Sequence, residues 1–422
     1  MESGSDRFPP APKATREAAD AFMQSLLPSA IEALASKHNN GKACTIFSRL
    51  YGSFNVCFFV RFEDGLQWTV RNPIIPRLHE PWQKLESEVV TLKVSYLRAR
   101  TSIPVPIVCA FGNDAMLTND GSRQMFLISE FINGVPLMSE RLADADDASR
   151  KTFFLQLFDY LAQLRCLEFS TIGSLTPSTS SSSSPAVGKT MSFSTNHLQL
   201  QLPSFTSTKD YLLSQSKMLR LHIDVPIADY SETDSRYELF ALNTFQTLFE
   251  NFASDALVDE PFVLNHADLH LCNILVDSDL KIVGIIDWEF ANIVPLRLFM
   301  PPLWAIYQDP GLENLSSFFF KELKDAATGD GRLGQLLQHW YGKMNFFEPF
   351  TIARLIRHPT DMTDIFATYF TQKQMGDDID AAEVDFFINN PEVAAEAQQA
   401  ALRNARWTQH LKDTGMYESN GV

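Results

Sequence analysis

Hydrophobic positions along the chain change period several times, and each change marks an element. From Thr15 to Ala35 the spacing is helical, with a break expected at Pro28. Residues 1–13 carry three prolines and are expected to fray. After the turn His38–Lys42 come β-branched and aromatic runs at Cys44–Leu50, Phe54–Phe62 and Leu66–Asn72. Tyr51-Gly52-Ser53 and Glu63-Asp64-Gly65 divide them, the second being a hairpin signal. Glu80–Thr101 reads as one helix with Leu85, Val89, Leu92 and Tyr96 on its buried stripe. Two more extended segments, Ile103–Gly112 and Gln124–Ile132, lead to Gly134. A strong helix is expected at Lys151–Phe169, and a Ser-rich insertion, expected to be a mobile surface excursion, at 174–207. Helical patterns return near 208–220 and 234–253, and from Gly311 to the end.

Composition narrows the function classes. The 51 acidic and 35 basic side chains give a net charge of −16, which argues against a nucleic-acid partner and against an anionic membrane surface. No apolar run approaches the roughly 18–20 residues needed to cross a bilayer, and no apolar signal core opens the chain. Five scattered cysteines without a CxxC pair suit free thiols in a reducing compartment, so a cytoplasmic protein is expected.

The chemistry is concentrated between two apolar runs, Phe262–Val276 and Leu280–Phe290. Asp268, Asn273 and Asp287 are polar side chains amid apolar flanks, where a carboxylate is costly unless paired or metal-bound. A hairpin would bring all three together. That is the set phosphoryl transfer requires: one carboxylate to orient and deprotonate a hydroxyl, an amide and a second carboxylate to hold Mg²⁺ against ATP.

The pattern His266-x-Asp268-x-x-x-x-Asn273, followed by Ile286-Asp287-Trp288-Glu289, resembles the aminoglycoside phosphotransferase / choline kinase-like family. Leu164–Leu167 and Ile172–Leu175 resemble a mainly fungal subgroup of it. The resemblance implies an α+β, bilobal protein kinase-like fold with a small antiparallel-sheet N-lobe and a large helical C-lobe. It divides the chain into a helical extension at 1–39, an N-lobe at 40–131 and a C-lobe at 132–422. It implies Asp268 as catalytic base and Asn273 and Asp287 as Mg²⁺ ligands. Gly52, Ser53, Phe54 and Asn55 resemble the loop covering the ATP phosphates. Arg71 stands where the family has a phosphate-binding lysine, Glu88 is its helix partner, and Glu130 and Ile132 lie in the adenine-binding hinge. Arginine keeps the charge of lysine with a different geometry.

His266 reads as a hydrogen-bonding scaffold of the loop; His270 and Glu289 are candidates for substrate contact or support. Cys272 reads as a small buried residue. Gly188-Lys189-Thr190 lacks the glycine and strand of a phosphate loop. The expected activity is ATP- and Mg²⁺-dependent transfer to a hydroxyl of a small molecule, with negative charge mildly favouring a cationic amino-alcohol. The alternative is a pseudokinase-like nucleotide-binding or scaffold protein. Nothing in these patterns reports oligomeric state.

Overall fold

The computed structural model describes residues 8–93, 97–178, 185–256, 260–306, 313–342, 347–372 and 378–419. Helices α1 (Pro12–Ser25) and α2 (Pro28–His38) divide at Pro28 as expected. Strands β1 (Cys44–Tyr51), β2 (Asn55–Phe62) and β3 (Gln67–Pro73) follow, then α3 (Pro81–Leu92) and α4 (Leu97–Arg100), then β4 (Val108–Met116) and β5 (Arg123–Glu130). The short β6 (Val135–Pro136) and α5 (Ser139–Ala143) precede the long α6 (Asp147–Arg165), whose first turn is capped by Asp146.

Next come β7 (Glu168–Phe169), β8 (Leu175–Thr176), β9 (Ala186–Val187), α7 (Phe193–His197), α8 (Thr208–Asp224) and α9 (Glu232–Ser254). Two hairpin pairs follow, β10 (Phe262–Asn265) to β13 (Asn292–Pro295) around β11 (Ile274–Val276) and β12 (Ile282–Ile285). The remainder is α10 (Glu313–Ala327), α11 (Gly331–Tyr341), α12 (Phe347–Arg357), α13 (Met362–Gln372), α14 (Ile379–Asn389) and α15 (Pro391–Asp413). This is the α+β arrangement of the protein kinase-like fold: an antiparallel-sheet N-terminal region and a helical C-terminal region. No described helix is long and apolar enough to cross a membrane.

The chain divides into two compact units, one of residues 22–207 and 258–349, the other of 1–21, 208–257 and 350–422. In the first, the sheet runs β1-β2-β3-β5-β4, antiparallel throughout. Period-two alternation buries Val56, Phe58, Val60 and Phe62 on one face. Arg71 lies on the other, opposite Cys57 and Leu127. On that face α3 packs Leu85 and Val89 against Leu127, which brings Glu88 to Arg71. In the second unit α8, α13, α14 and α15 pack around α9, with Phe240, Phe245, Phe366 and Phe370 forming an aromatic core.

Four expectations need correction. The single helix at 80–101 is two helices, because the backbone leaves helical geometry at Lys93 (ψ 148°); Tyr96 lies outside the described residues. Residues 103–107 are not strand, since Pro104 and Pro106 have no N–H for a ladder. The N-terminal segment is tied down from Phe8, whose ring lies 5.1 Å from that of Trp407.

The Ser-rich insertion is anchored rather than mobile over its described residues. Ser174, Thr190, Ser192, Ser194 and Thr195 are buried, β8 pairs with β9, and α7 carries a reciprocal Ser192–Thr195 capping box. Gly173 admits no side chain: its φ is +151°, and a Cβ would strike the carbonyl oxygen of Gly188. Among the described residues, the hydroxyls of Ser174, Thr176, Thr190 and Thr195 meet backbone carbonyls.

Candidate active site

The strand pairing sets the site. With β10 on β13 and β11 on β12, the loop 266–273 and the segment 286–291 emerge side by side. They are tied by Ile286 N–H donating to Asn273 O (3.0 Å). His266 is 2% exposed and joins both. Its Nδ1 accepts from Asp268 N–H (3.2 Å) and its Nε2 lies 2.9 Å from Ile286 O, which fixes the neutral Nε2–H tautomer. Ala267 (φ 64°) and Asp287 (φ 66°) both hold left-handed backbone, strain that only a well-determined surround maintains.

Asp268 is oriented from two sides. His270 Nε2 lies 3.0 Å from Oδ1, and the Asn273 amide donates to the Asp268 carbonyl at 2.8 Å and approaches Oδ2 at 3.5 Å. Trp304, which the sequence reading did not single out, donates Nε1–H to Leu269 O (2.9 Å) and props the same loop. Cys272 is exposed rather than buried, because it lies in a single 3₁₀ turn with Asn273 inward.

Arg71 pairs with Glu88, which is 2% exposed. It also lies 3.5 Å from Glu289 and 3.8 Å from Asp287 Oδ1. The Glu289 Oε2 meets Lys84 Nζ and Asn55 Nδ2, both at 2.9 Å. The Asn55 side chain is thereby turned inward on Glu289. Gly52 N–H donates to Asn55 O (2.8 Å), Ser53 O accepts from Arg77 (2.9 Å), and the Phe54 ring lies 5.3 Å from that of Phe290. At the end of β5, Glu130 N–H is spent on Ile107 O and Phe131 N–H on Gln67 O. Ile132 packs where only glycine fits, since a Cβ on Gly284 would lie 2.7 Å from its Cδ1.

Lys84 is the residue the sequence reading missed. It is 4% exposed, and its Nζ lies 4.4 Å and 3.9 Å from the ring centroids of Phe54 and Phe290. The signal was present: Lys84 precedes Glu88 by one helical turn and shares its inward face. Helix α3 thus carries two buried ion pairs of opposite polarity, Lys84–Glu289 and Glu88–Arg71. Lys84→Met leaves Glu289 short of a partner, and the expected loss of stability is on the order of 3 kcal/mol. The midpoint of denaturant unfolding measures it.

Two cations face three carboxylates here, and the imbalance falls on Asp287. Its Oδ1 is buried and accepts no hydrogen bond among the described residues. Burial, then Glu289, pushes its carboxyl well above the ordinary range, with Asp268 adding to the rise. Burial alone would raise Glu289 as well, but Lys84 and Arg71 outweigh it and hold that carboxyl low. A positive charge beside Asp287 would relieve the imbalance.

An oriented carboxylate on one loop, a second carboxylate and an amide beside it, and a sheet-borne cation held by a helix glutamate thus meet in one cluster. The chain belongs to the phosphotransferase enzyme family, whose profile matches residues 75–296, just over half its length. It is similar to the clavilactone A biosynthesis cluster protein Y of Ampulloclitocybe clavipes, at 28% identity over 276 residues, 60% of this chain and 63% of that protein. The chain therefore spans less than two thirds of that relative's length. Among solved structures it is similar to a thermostable mutant of aminoglycoside phosphotransferase APH(4)-Ia in its apo form (12% identity, 89% of this chain and 98% of that one, TM-score 0.46). It is also similar to the gentamicin–APH(2")-IIa complex (16% identity, 82% and 96%, TM-score 0.47).

Proposed function

We propose that the protein transfers the γ-phosphoryl group of ATP to a hydroxyl of a small molecule, with Mg²⁺. The observation that carries this reading is Asp268, oriented by His270 and Asn273, beside an Asp287 whose buried oxygen has no hydrogen-bond partner among the described residues.

The donor set suits Mg²⁺. Among the described residues no group of three or more His, Cys, Asp or Glu is placed to hold a metal ion by itself. A carboxylate and an amide that leave positions for phosphate oxygens and water are what this ion takes in nucleotide sites. Asn273 and Asp287 would hold it, and when bound it neutralises charge on the phosphates. Asp268 would orient the acceptor hydroxyl and take its proton as that oxygen bonds to phosphorus and ADP leaves. Arg71, held by Glu88, would grip the α and β phosphates bidentately. The residues therefore act by positioning and charge neutralisation. The relative from a biosynthesis cluster supports an acceptor of natural-product type, and the net charge of −16 supports a cationic one.

Thermal unfolding tests the nucleotide site. At about 100 times its dissociation constant, ATP with Mg²⁺ is expected to stabilise the wild type by about 2.7 kcal/mol, with less effect from ATP alone. No shift with ATP or GTP, with or without Mg²⁺, would sink the reading in favour of a scaffold. A shift justifies a screen of alcohol acceptors.

A further inference from the structure

The insertion at 174–207 is joined to the site at three places. The Asn196 side chain takes a hydrogen bond from His79 N–H (2.9 Å) and donates one to Arg77 O (3.0 Å), clasping the turn that enters α3. Glu80, the residue before α3, has φ 48° and is held by Gln201 and by Lys189 at 3.8 Å. The Phe193 ring lies 4.1 Å from that of Phe290 and 6.1 Å from that of Phe54, the two rings that enclose Lys84 Nζ. The insertion's root is also pinned to β13, by Ile293 N–H on Gly173 O at 2.8 Å.

We propose that this insertion is a brace built into the chain, and that Phe193 and Asn196 are positioning residues for the phosphate end of the nucleotide site. The proposal rests on the phosphotransferase reading above. Asn196 fixes where α3 begins, hence where Lys84 and Glu88 stand one and two turns on. Phe193 completes the apolar cover over the Lys84–Glu289 pair, which keeps water from competing for it. With the pair intact, Glu289 stays bound to α3, β3 and Asn55, and Asp287 and Arg71 keep their placement. Among the described residues, the contacts named above fall on 77–80, Phe54, Phe290 and Ile293 and not on the expected hinge at 130–132.

This asymmetry gives the test. Affinities of ATP with Mg²⁺ and of adenosine are measured by calorimetry for the wild type, Phe193→Ala, Phe193→Leu, Asn196→Ala and Asn196→Asp. Hydrogen exchange of α3 is followed in each. The alanine variants are expected to weaken ATP by about tenfold, the scale of coupling through one positioning contact, while adenosine binding holds. Exchange in α3 accelerates. Phe193→Leu restores most of the affinity. Asn196→Asp keeps the bond from His79 but loses the one to Arg77, and falls between; these milder variants carry the test where an alanine variant does not fold. ATP affinity and α3 exchange at wild-type levels in folded variants overturn the brace. So does an equal loss for adenosine and ATP, which marks general destabilisation. A wild type that binds neither ligand overturns the functional reading itself, and the brace with it.

Discussion

Asp268→Asn is expected to lower turnover by about 10²–10⁴, the range for removing a general base, while nucleotide affinity stays near that of the wild type. The amide keeps the size of the side chain and can still meet His270 and Asn273, so the loop keeps its shape. It cannot take a proton from the acceptor. The measurement is the steady-state rate with any accepted alcohol, or slow ATP hydrolysis with water as acceptor, beside the ATP dissociation constant. A variant with unchanged turnover removes Asp268 from the mechanism. A variant that loses ATP binding assigns it to the nucleotide site instead.

Asp287→Asn is expected to abolish Mg²⁺-dependent stabilisation by ATP and to change how stability depends on pH. The Asp287 carboxyl is pushed up to about 8 in the folded protein, by burial first and then by Glu289. A carboxyl with a raised native pKa binds more protons folded than unfolded. The stability it supports is therefore full below the ordinary Asp pKa and is lost as pH rises towards about 8. Without nucleotide, the wild type should lose stability across that window relative to Asp287→Asn, whose amide does not titrate. Glu238, which burial pushes up to about 7, contributes with the same sign in both proteins, so the difference between them isolates Asp287. A metal ion at Asp287 must displace the proton, so Mg²⁺-dependent ATP affinity of the wild type should rise with pH over the same range. Denaturant midpoints from about pH 5 to about pH 9, with and without ATP and Mg²⁺, read both effects. A parallel pH profile in the two proteins would count against an uncompensated Asp287.

The candidate base and the metal set were legible because a motif of local spacing encodes them. Asp268 and Asn273 lie on one loop, and Asp287 follows one hairpin later, so short-range geometry nearly determines their meeting. The sheet was legible for a similar reason: alternation in Asn55–Phe62 and Gln67–Pro73 reflects one buried face. Leu85, Val89 and Leu92 marked the inward face of α3 in the same way. The end of that helix was not legible, since apolar spacing continued past Lys93 where the backbone turned extended. Arg71 read from sequence as a departure; in the structure its guanidinium pairs with Glu88, as the resemblance led one to expect of the helix glutamate.

What the sequence by itself determined is therefore the family, the α+β order of elements and the residues of local motifs. Only the tertiary structure decided the partners of Glu289, the burial of Lys84 and the anchoring of the described part of the Ser-rich insertion. Lys84 meets Glu289 across 205 positions of chain, and His79 meets Asn196 across 117. Such contacts arise where elements distant in sequence are packed together, and no periodicity encodes which of two buried charges will face the other. A serine-rich composition likewise specifies capacity for hydrogen bonds, not where they are spent; burial at Ser192, Ser194 and Thr195 settled that.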